Sequence, residues 1–328
     1  MSENRMILQS SPHARDRESV RKVMYTVTLA LLPAVIAGTV FFGLRALLVM
    51  ALSVVACLIF EGIAMKVSGK PVKETLLDGS AVITGLLVAM NLPSGLPLWM
   101  VVVGALVAIV LGKHVYGGLG NNPFNPALVA RVFLLISFPT AMTAWPVPYG
   151  TDGVTAATPL GVLQMEGAAV ALQSIPYYNL LIGNVGGCLG ETSAIALLLG
   201  GIILLVRKVI SWEIPVTFIA TVLVFTTITW LVAPDKHINP LWHVLSGGVM
   251  LGAWFMATDM VTSPVSRKGM LLFGVGCGFF TCIIRLWAGY PEGVSFAILI
   301  MNGLVPLIDR YLAPARFGAR QATQGAKA

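Results

Sequence analysis

Charge is what this chain has least of. Only 11% of its 328 residues are charged, against about a quarter in soluble globular domains, so a water-soluble fold with a polar surface is excluded. Cysteine is scarce too. The four present are Cys57, Cys188, Cys277 and Cys282; three lie inside apolar runs, and none has the spacing of a zinc or iron–sulfur ligand set, which argues against a disulfide framework or an internal cluster. No Gly-x-Gly-x-x-Gly turn follows a strand, which argues against direct dinucleotide binding. A small-residue cleavage site is missing directly after the first apolar run, and residues 1–22 carry Arg15, Arg17, Arg21 and Lys22. That stretch is read as a retained cytosolic tail rather than a signal peptide.

What is present instead is apolar length. The chain is 57% hydrophobic with a mean hydropathy of +0.86. Segments at 24–42, 46–65, 79–92, 97–112, 125–138, 191–206, 215–233, 243–258, 269–286 and 293–312 are expected to be helices. The result is an all-α polytopic membrane protein with about ten transmembrane helices.

The net charge of +7 records orientation in such a protein and does not call for nucleic acid. With a cytosolic N-terminus, the inner joints hold Lys66, Lys70, Lys73, Lys113, Arg207, Lys208, Arg267 and Lys268, and the tail holds Arg310, Arg316, Arg320 and Lys327. The outer joints hold only Arg45, Lys236 and Arg285. One helix too many or too few would reverse this bias, so both termini are expected in the cytosol. The long joint 139–190 then falls outside. It has neither Lys nor Arg, but has Asp152 and Glu166, with Glu191 at its far edge.

A weak internal repeat runs through the chain. Asp78-Gly-Ser-Ala-Val-Ile-Thr-Gly and then Asn125-Pro-Ala-Leu in the first half are echoed by Ser246-Gly-Gly-Val-Met-Leu-Gly and then Gly293-Val-Ser-Phe in the second. Each begins an unusually short apolar segment. Five helices per half is an odd number, so the two repeats, 23–138 and 191–312, are expected to be inverted, with 1–22 and 313–328 as cytosolic tails. Short interrupted segments at matched positions mark a site at the repeat interface.

The sharpest motif is Asp152-Gly-Val-Thr-Ala-Ala-Thr158-Pro-Leu in the outer joint. On its residues alone it is a small-residue turn with two hydroxyls. It resembles, however, the flavinylation site of two related families, the D subunits of Rnf electron transport complexes and the B subunits of sodium-translocating NADH:quinone reductases. Ser11-Pro-His-Ala-Arg-Asp, Gly117-Gly-Leu-Gly-Asn-Asn-Pro-Phe-Asn-Pro-Ala-Leu, Gly190-Glu-Thr-Ser, Met256-Ala-Thr-Asp and Tyr290-Pro-Glu-Gly match in order. The short N-terminal tail is more like the Rnf family. The resemblance implies an FMN joined through its phosphate to Thr158 by a flavin transferase, with Thr155 as an alternative acceptor. It also implies a multi-pass protein of the bacterial cytoplasmic membrane, part of a complex whose other membrane and peripheral subunits include an outer-face FMN protein.

Gly187, Glu191 and Thr192 are expected near the FMN, because a glycine-rich helix start suits a phosphate; ordinary capping by Thr192 or Ser193 is the alternative. Gly and Pro break the helix at 117–126, where Asn amides could face either a solute or a flavin edge. The resemblance implies a non-covalent riboflavin there, near Asn122 and Asn125. Glu61, Asp259, Glu292 and Asp309 lie in or at the ends of apolar helices, and Arg131 lies within one. Ionisable groups there are either paired or functional; the resemblance favours an ion pathway for Na⁺ or H⁺. The expected function is that of a membrane subunit of a redox-driven ion pump, not catalytic alone. The competing reading is a passive solute channel, since urea transporters resemble this inverted-repeat plan.

Overall fold

The computed structural model describes residues 19–149, 155–234, 236–290 and 292–313. The Ser11-Pro-His start, Asp152, Pro291 and nearly all of both tails lie outside the described residues.

Helix α1 (Val20–Val67) has 48 residues, or about 72 Å at 1.5 Å per residue, more than twice the roughly 30 Å hydrocarbon layer. It therefore cannot be one straight span. Gly43, at φ 68° and ψ −162°, breaks it between the two expected segments; only glycine adopts that backbone easily. After a short α2 (Val72–Leu76) comes α3 (Ser80–Met90), whose N-cap is Gly79 and whose first N–H, Ser80 N, donates to Asp78 Oδ1 at 2.7 Å. Its 11 residues cover about 16 Å, half a bilayer. Helix α4 (Leu98–Leu106) runs on as a π-helical stretch, Val107–His114. Helix α5 (Pro126–Ser137) starts at Pro126 behind the cap Asn125.

The expected outer loop is a small folded cap. It contains α6 (Pro139–Met142), a two-stranded antiparallel ladder of β1 (Trp145–Pro146) and β2 (Thr155–Ala156), and helices α7 (Pro159–Glu166), α8 (Ala168–Ser174) and α9 (Tyr177–Ile182). The cap packs its Leu160, Ala171 and Leu180 into a separate core with Ile238 and Trp242, from the start of the later helix Pro240–Leu245. None of its helices is longer than 8 residues, too few turns to carry a readable period.

The second half contains α10 (Ala194–Val206), α11 (Glu213–Val232), α12 (Pro240–Leu245), α13 (Val249–Leu251) continuing as a π stretch Gly252–Met256, α14 (Arg267–Trp287) and α15 (Val294–Tyr311). The single helix expected at 243–258 is in fact interrupted, since Gly247 takes φ 65°. Among the described residues, α1, α11, α14 and α15 are long and apolar enough to cross a membrane. Small residues let backbones close up where helices meet, as lipid-embedded packing requires: Gly85 faces Val54 and Ser53, with Ser53 Oγ donating to Gly85 O at 2.7 Å, and Gly278 packs on Thr221 and Phe218. Outward faces are apolar, with Leu44, Ile36 and Ile228 exposed.

Candidate functional site

Four short apolar segments, at 80–90, 126–137, 249–256 and the start of α15, meet at Arg131, in the second turn of α5. Its Nη1 donates to Asn91 Oδ1, at the end of α3, at 2.7 Å and to Glu191 at 3.3 Å, while Nη2 pairs with Glu292, just before α15. Met256, at the end of the second π stretch, lines the same small cavity with Gly248 and Ser295. Arg131 is 6% exposed. A guanidinium there needs partners, and its planar fork holds several at once. Cys188, Glu191 and Glu292 bring ligand atoms within 4.8 Å of one another, but the guanidinium supplies countercharge at that point. Cys188, the one cysteine outside the apolar runs, is fully buried and donates to Asn91 O at 3.2 Å.

On one side of this junction lies a pocket of about 800 Å³, open at its mouth, bordered by Asn122, Asn125, Lys113 and Asp259. Two of the expected site residues, Asn122 and Asn125, thus share a wall with a third, Asp259. Asn125 is also a working cap: its Oδ1 accepts from Ala127 N at 3.0 Å, and its Nδ2 donates to Met256 O at 3.2 Å. Asp259 accepts from Thr262 Oγ1 at 3.1 Å. Behind the wall, Lys113 Nζ donates to Glu61 and to Ser80 Oγ, both at 2.8 Å, and His114 Nε2 lies 3.2 Å from the other Glu61 oxygen. The π stretch explains how neighbours 113 and 114 both reach Glu61, because its wider turn sets consecutive side chains closer in angle than an α-helix does. Both π stretches end at this pocket. Asp309 stands apart, accepting from Val265 N at 3.1 Å.

On the other side, Thr158 is the N-cap of α7. It is 4% exposed and its Oγ1 accepts from Gly161 N at 3.0 Å. It borders a cleft of about 250 Å³ with Gly186, Gly247, Glu191 and Glu292. Thr155, by contrast, is exposed. Of the expected FMN surroundings, Glu191 lines the Thr158 cleft and Gly187 lies against Glu191, but Thr192 Oγ1 donates back to Leu189 O at 3.2 Å. The α10 start is capped by Ser193, whose Oγ accepts from Ala196 N at 3.2 Å, so ordinary capping accounts for that terminus.

The two sides lie at opposite ends of the first segment of α1. Met24 lines the Asn122 pocket, whereas Phe41 O accepts from Tyr149 N of the Thr158 cap at 2.9 Å. The helix between Met24 and Phe41 rises about 26 Å.

Two charges change their role. Lys113 and Arg285, counted from sequence as joint charges, are 2% and 8% exposed. Each ends an apolar run, where a basic residue normally marks the membrane boundary, and only tertiary contacts reveal the burial. Asn91 had no sequence signal at all.

The chain matches the NQR2, RnfD, RnfE family over residues 7–318. It is similar to the D subunit of the proton-translocating ferredoxin:NAD(+) oxidoreductase complex of Clostridium ljungdahlii, at 44% identity with 98% of each chain covered. It is equally similar, 44% with 100% of each covered, to the D subunit of the Na(+)-translocating ferredoxin:NAD(+) oxidoreductase complex of Acetobacterium woodii. The D subunit of the ion-translocating oxidoreductase complex of Stutzerimonas stutzeri is 43% identical, with 92% of this chain and 93% of that one covered.

Proposed function

Since the chain belongs to the NQR2, RnfD, RnfE family, we propose that it is the membrane subunit of an ion-translocating ferredoxin:NAD⁺ oxidoreductase complex that carries electrons across the bilayer. The route runs between an FMN esterified to Thr158 and a riboflavin in the Asn122–Asn125 pocket. The protein sits in a bacterial cytoplasmic membrane in two inverted five-helix halves, with the Thr158 cap outside and both tails in the cytosol. Other subunits of the complex bind ferredoxin and NAD, and an outer-face flavin protein exchanges electrons at Thr158.

The observation that carries this reading is the separation of the two sites by a rise of about 26 Å along the first segment of α1, with buried and part-buried polar residues between them. Glu191 and Glu292 border the Thr158 cleft and also hold Arg131, and Met256 at the same junction accepts from Asn125. The chemistry of each site agrees. The pocket's walls are mostly apolar, with the Asn122 and Asn125 amides, the Lys113 ammonium and the Asp259 carboxylate among them, the pairing of an apolar lining with a few placed polar groups that ligand sites use. A flavin would supply one- and two-electron transfer; the protein orients it through Asn122, holds positive charge near it on Lys113 and keeps Glu61 next to that charge. Tethering at Thr158 keeps a group facing the outer space from being lost by dilution.

Because Thr158 Oγ1 is buried in its cap, a flavin transferase must act before the first turn of α7 closes. Ion coupling is assigned to Glu61, Asp259 and Glu292, for Na⁺ or H⁺. Asp309 is dropped from that set, since it caps the 264–266 turn. A passive channel is the weaker reading, because Arg131 and its two carboxylates close the point where the four segments meet.

Denaturing gels of protein matured with the transferase test the assignment. A fluorescent band is expected for wild type and Thr155→Ala and none for Thr158→Ala; a band surviving in Thr158→Ala moves the flavin elsewhere.

A further inference from the structure

Lys236 and Arg285 are two of the three basic residues that the charge pattern puts on the Thr158 side, and both come, with His237 and His243, to one cleft of about 660 Å³. One wall is α7, which turns Leu160, Leu163 and Gln164 towards it, the spacing of a single helix face. The floor is polar and incomplete. His243 Nδ1 and Arg285 Nε are buried and have no hydrogen-bond partner among the described residues, an uncommon state for buried polar atoms, which calls for a group to complete it. Arg285 cannot turn away to find one, because its two terminal nitrogens are fixed on His243 O at 2.7 Å and Ser246 O at 3.1 Å.

We propose that this cleft seats the ring of the flavin tethered at Thr158, its flat apolar body against α7 and its oxygen-bearing pyrimidine edge towards Arg285 and His243, with Lys236 at the mouth. The inference rests on the esterification of Thr158 proposed above. Reach agrees: Thr158 caps α7, and Gln164 lies roughly 9 Å further along its axis, a distance that a ribityl phosphate chain spans. Charge sets the direction. The small cleft at Thr158 ends on Glu191 and Glu292, which are already paired with Arg131 and, among the described residues, leave no cation free there for an anionic ring, whereas the larger cleft offers Lys236 and Arg285. Leu160 lines both, so the chain turns from one into the other over a single side chain. Fixed cations at the pyrimidine edge favour the reduced, anionic ring and raise its potential.

The test uses the purified, matured complex as wild type, Lys236→Gln, Arg285→Gln and Gln164→Trp. The ester-linked flavin is isolated by difference against Thr158→Ala and followed by acrylamide quenching and redox titration. The two charge removals are expected to shift its midpoint to more negative values, and the cleft-filling Gln164→Trp to expose the ring to acrylamide. Lys236 and Gln164 are both exposed, so these variants stand even if Arg285→Gln fails to fold. A wild-type flavin signal that Thr158→Ala leaves in place overturns the esterification and this inference together. A signal lost in Thr158→Ala but unmoved, in potential and in quenching, by Lys236→Gln and Gln164→Trp overturns the cleft alone.

Discussion

Lys113 and Arg131 are both buried cations facing carboxylates, yet they hold the molecule differently. Lys113 answers partners from the first half only, Glu61 on α1 and Ser80 on α3, and forms part of a pocket wall. Arg131 ties its own helix to Asn91, Glu191 and Glu292, which come from both halves. An ammonium on a flexible stem can exchange partners without moving a helix, whereas a planar fork that holds three partners cannot. The contrast separates a place where charge can be traded from a place where the fold is locked.

Breaking the lock should cost most. Arg131→Leu leaves two buried carboxylates without their cation and is expected to destabilise by about 3–5 kcal/mol, read as a large drop in the thermal midpoint in detergent; an unchanged midpoint would mean that the fork locks nothing. Lys113→Met should cost less, about 3 kcal/mol at most, because Glu61 keeps His114. Adding Glu61→Gln should recover most of that loss, the non-additivity expected of a true pair. Asn125→Ala should cost about 1 kcal/mol as a lost cap and release riboflavin from the pocket. Asn125→Asp keeps the cap oxygen, so riboflavin retained in Asp but lost in Ala would mean that the cap, rather than the amide, holds the site. Smallest of all, Asp309→Asn should leave ion transport by the complex unchanged, and a clear loss would return Asp309 to the pathway.

Much of this was legible from residue order. The joint between the runs 24–42 and 46–65, the short segments after Asp78 and from Asn125, and an arginine within an apolar run that needed a partner are all local signals. The partners were not legible. Glu191 lies 60 positions from Arg131 and Glu292 lies 161, and no period or spacing links them. Lys113 was misread because a π stretch carries the helix past Leu111 and draws the ammonium inward, and a basic residue ending an apolar run looks the same whether it meets water or a buried glutamate. The cap between α5 and α10 was legible only as a motif, since its helices are too short to show a face.

The central claim is that electrons cross the membrane through this chain by way of Thr158. The direct measurement places the matured complex in sealed vesicles, Thr158 side outward, with ferricyanide trapped inside and dithionite added outside. The account predicts that the trapped ferricyanide bleaches rapidly with wild type and at the background rate with Thr158→Ala; equal rapid bleaching in both would contradict it.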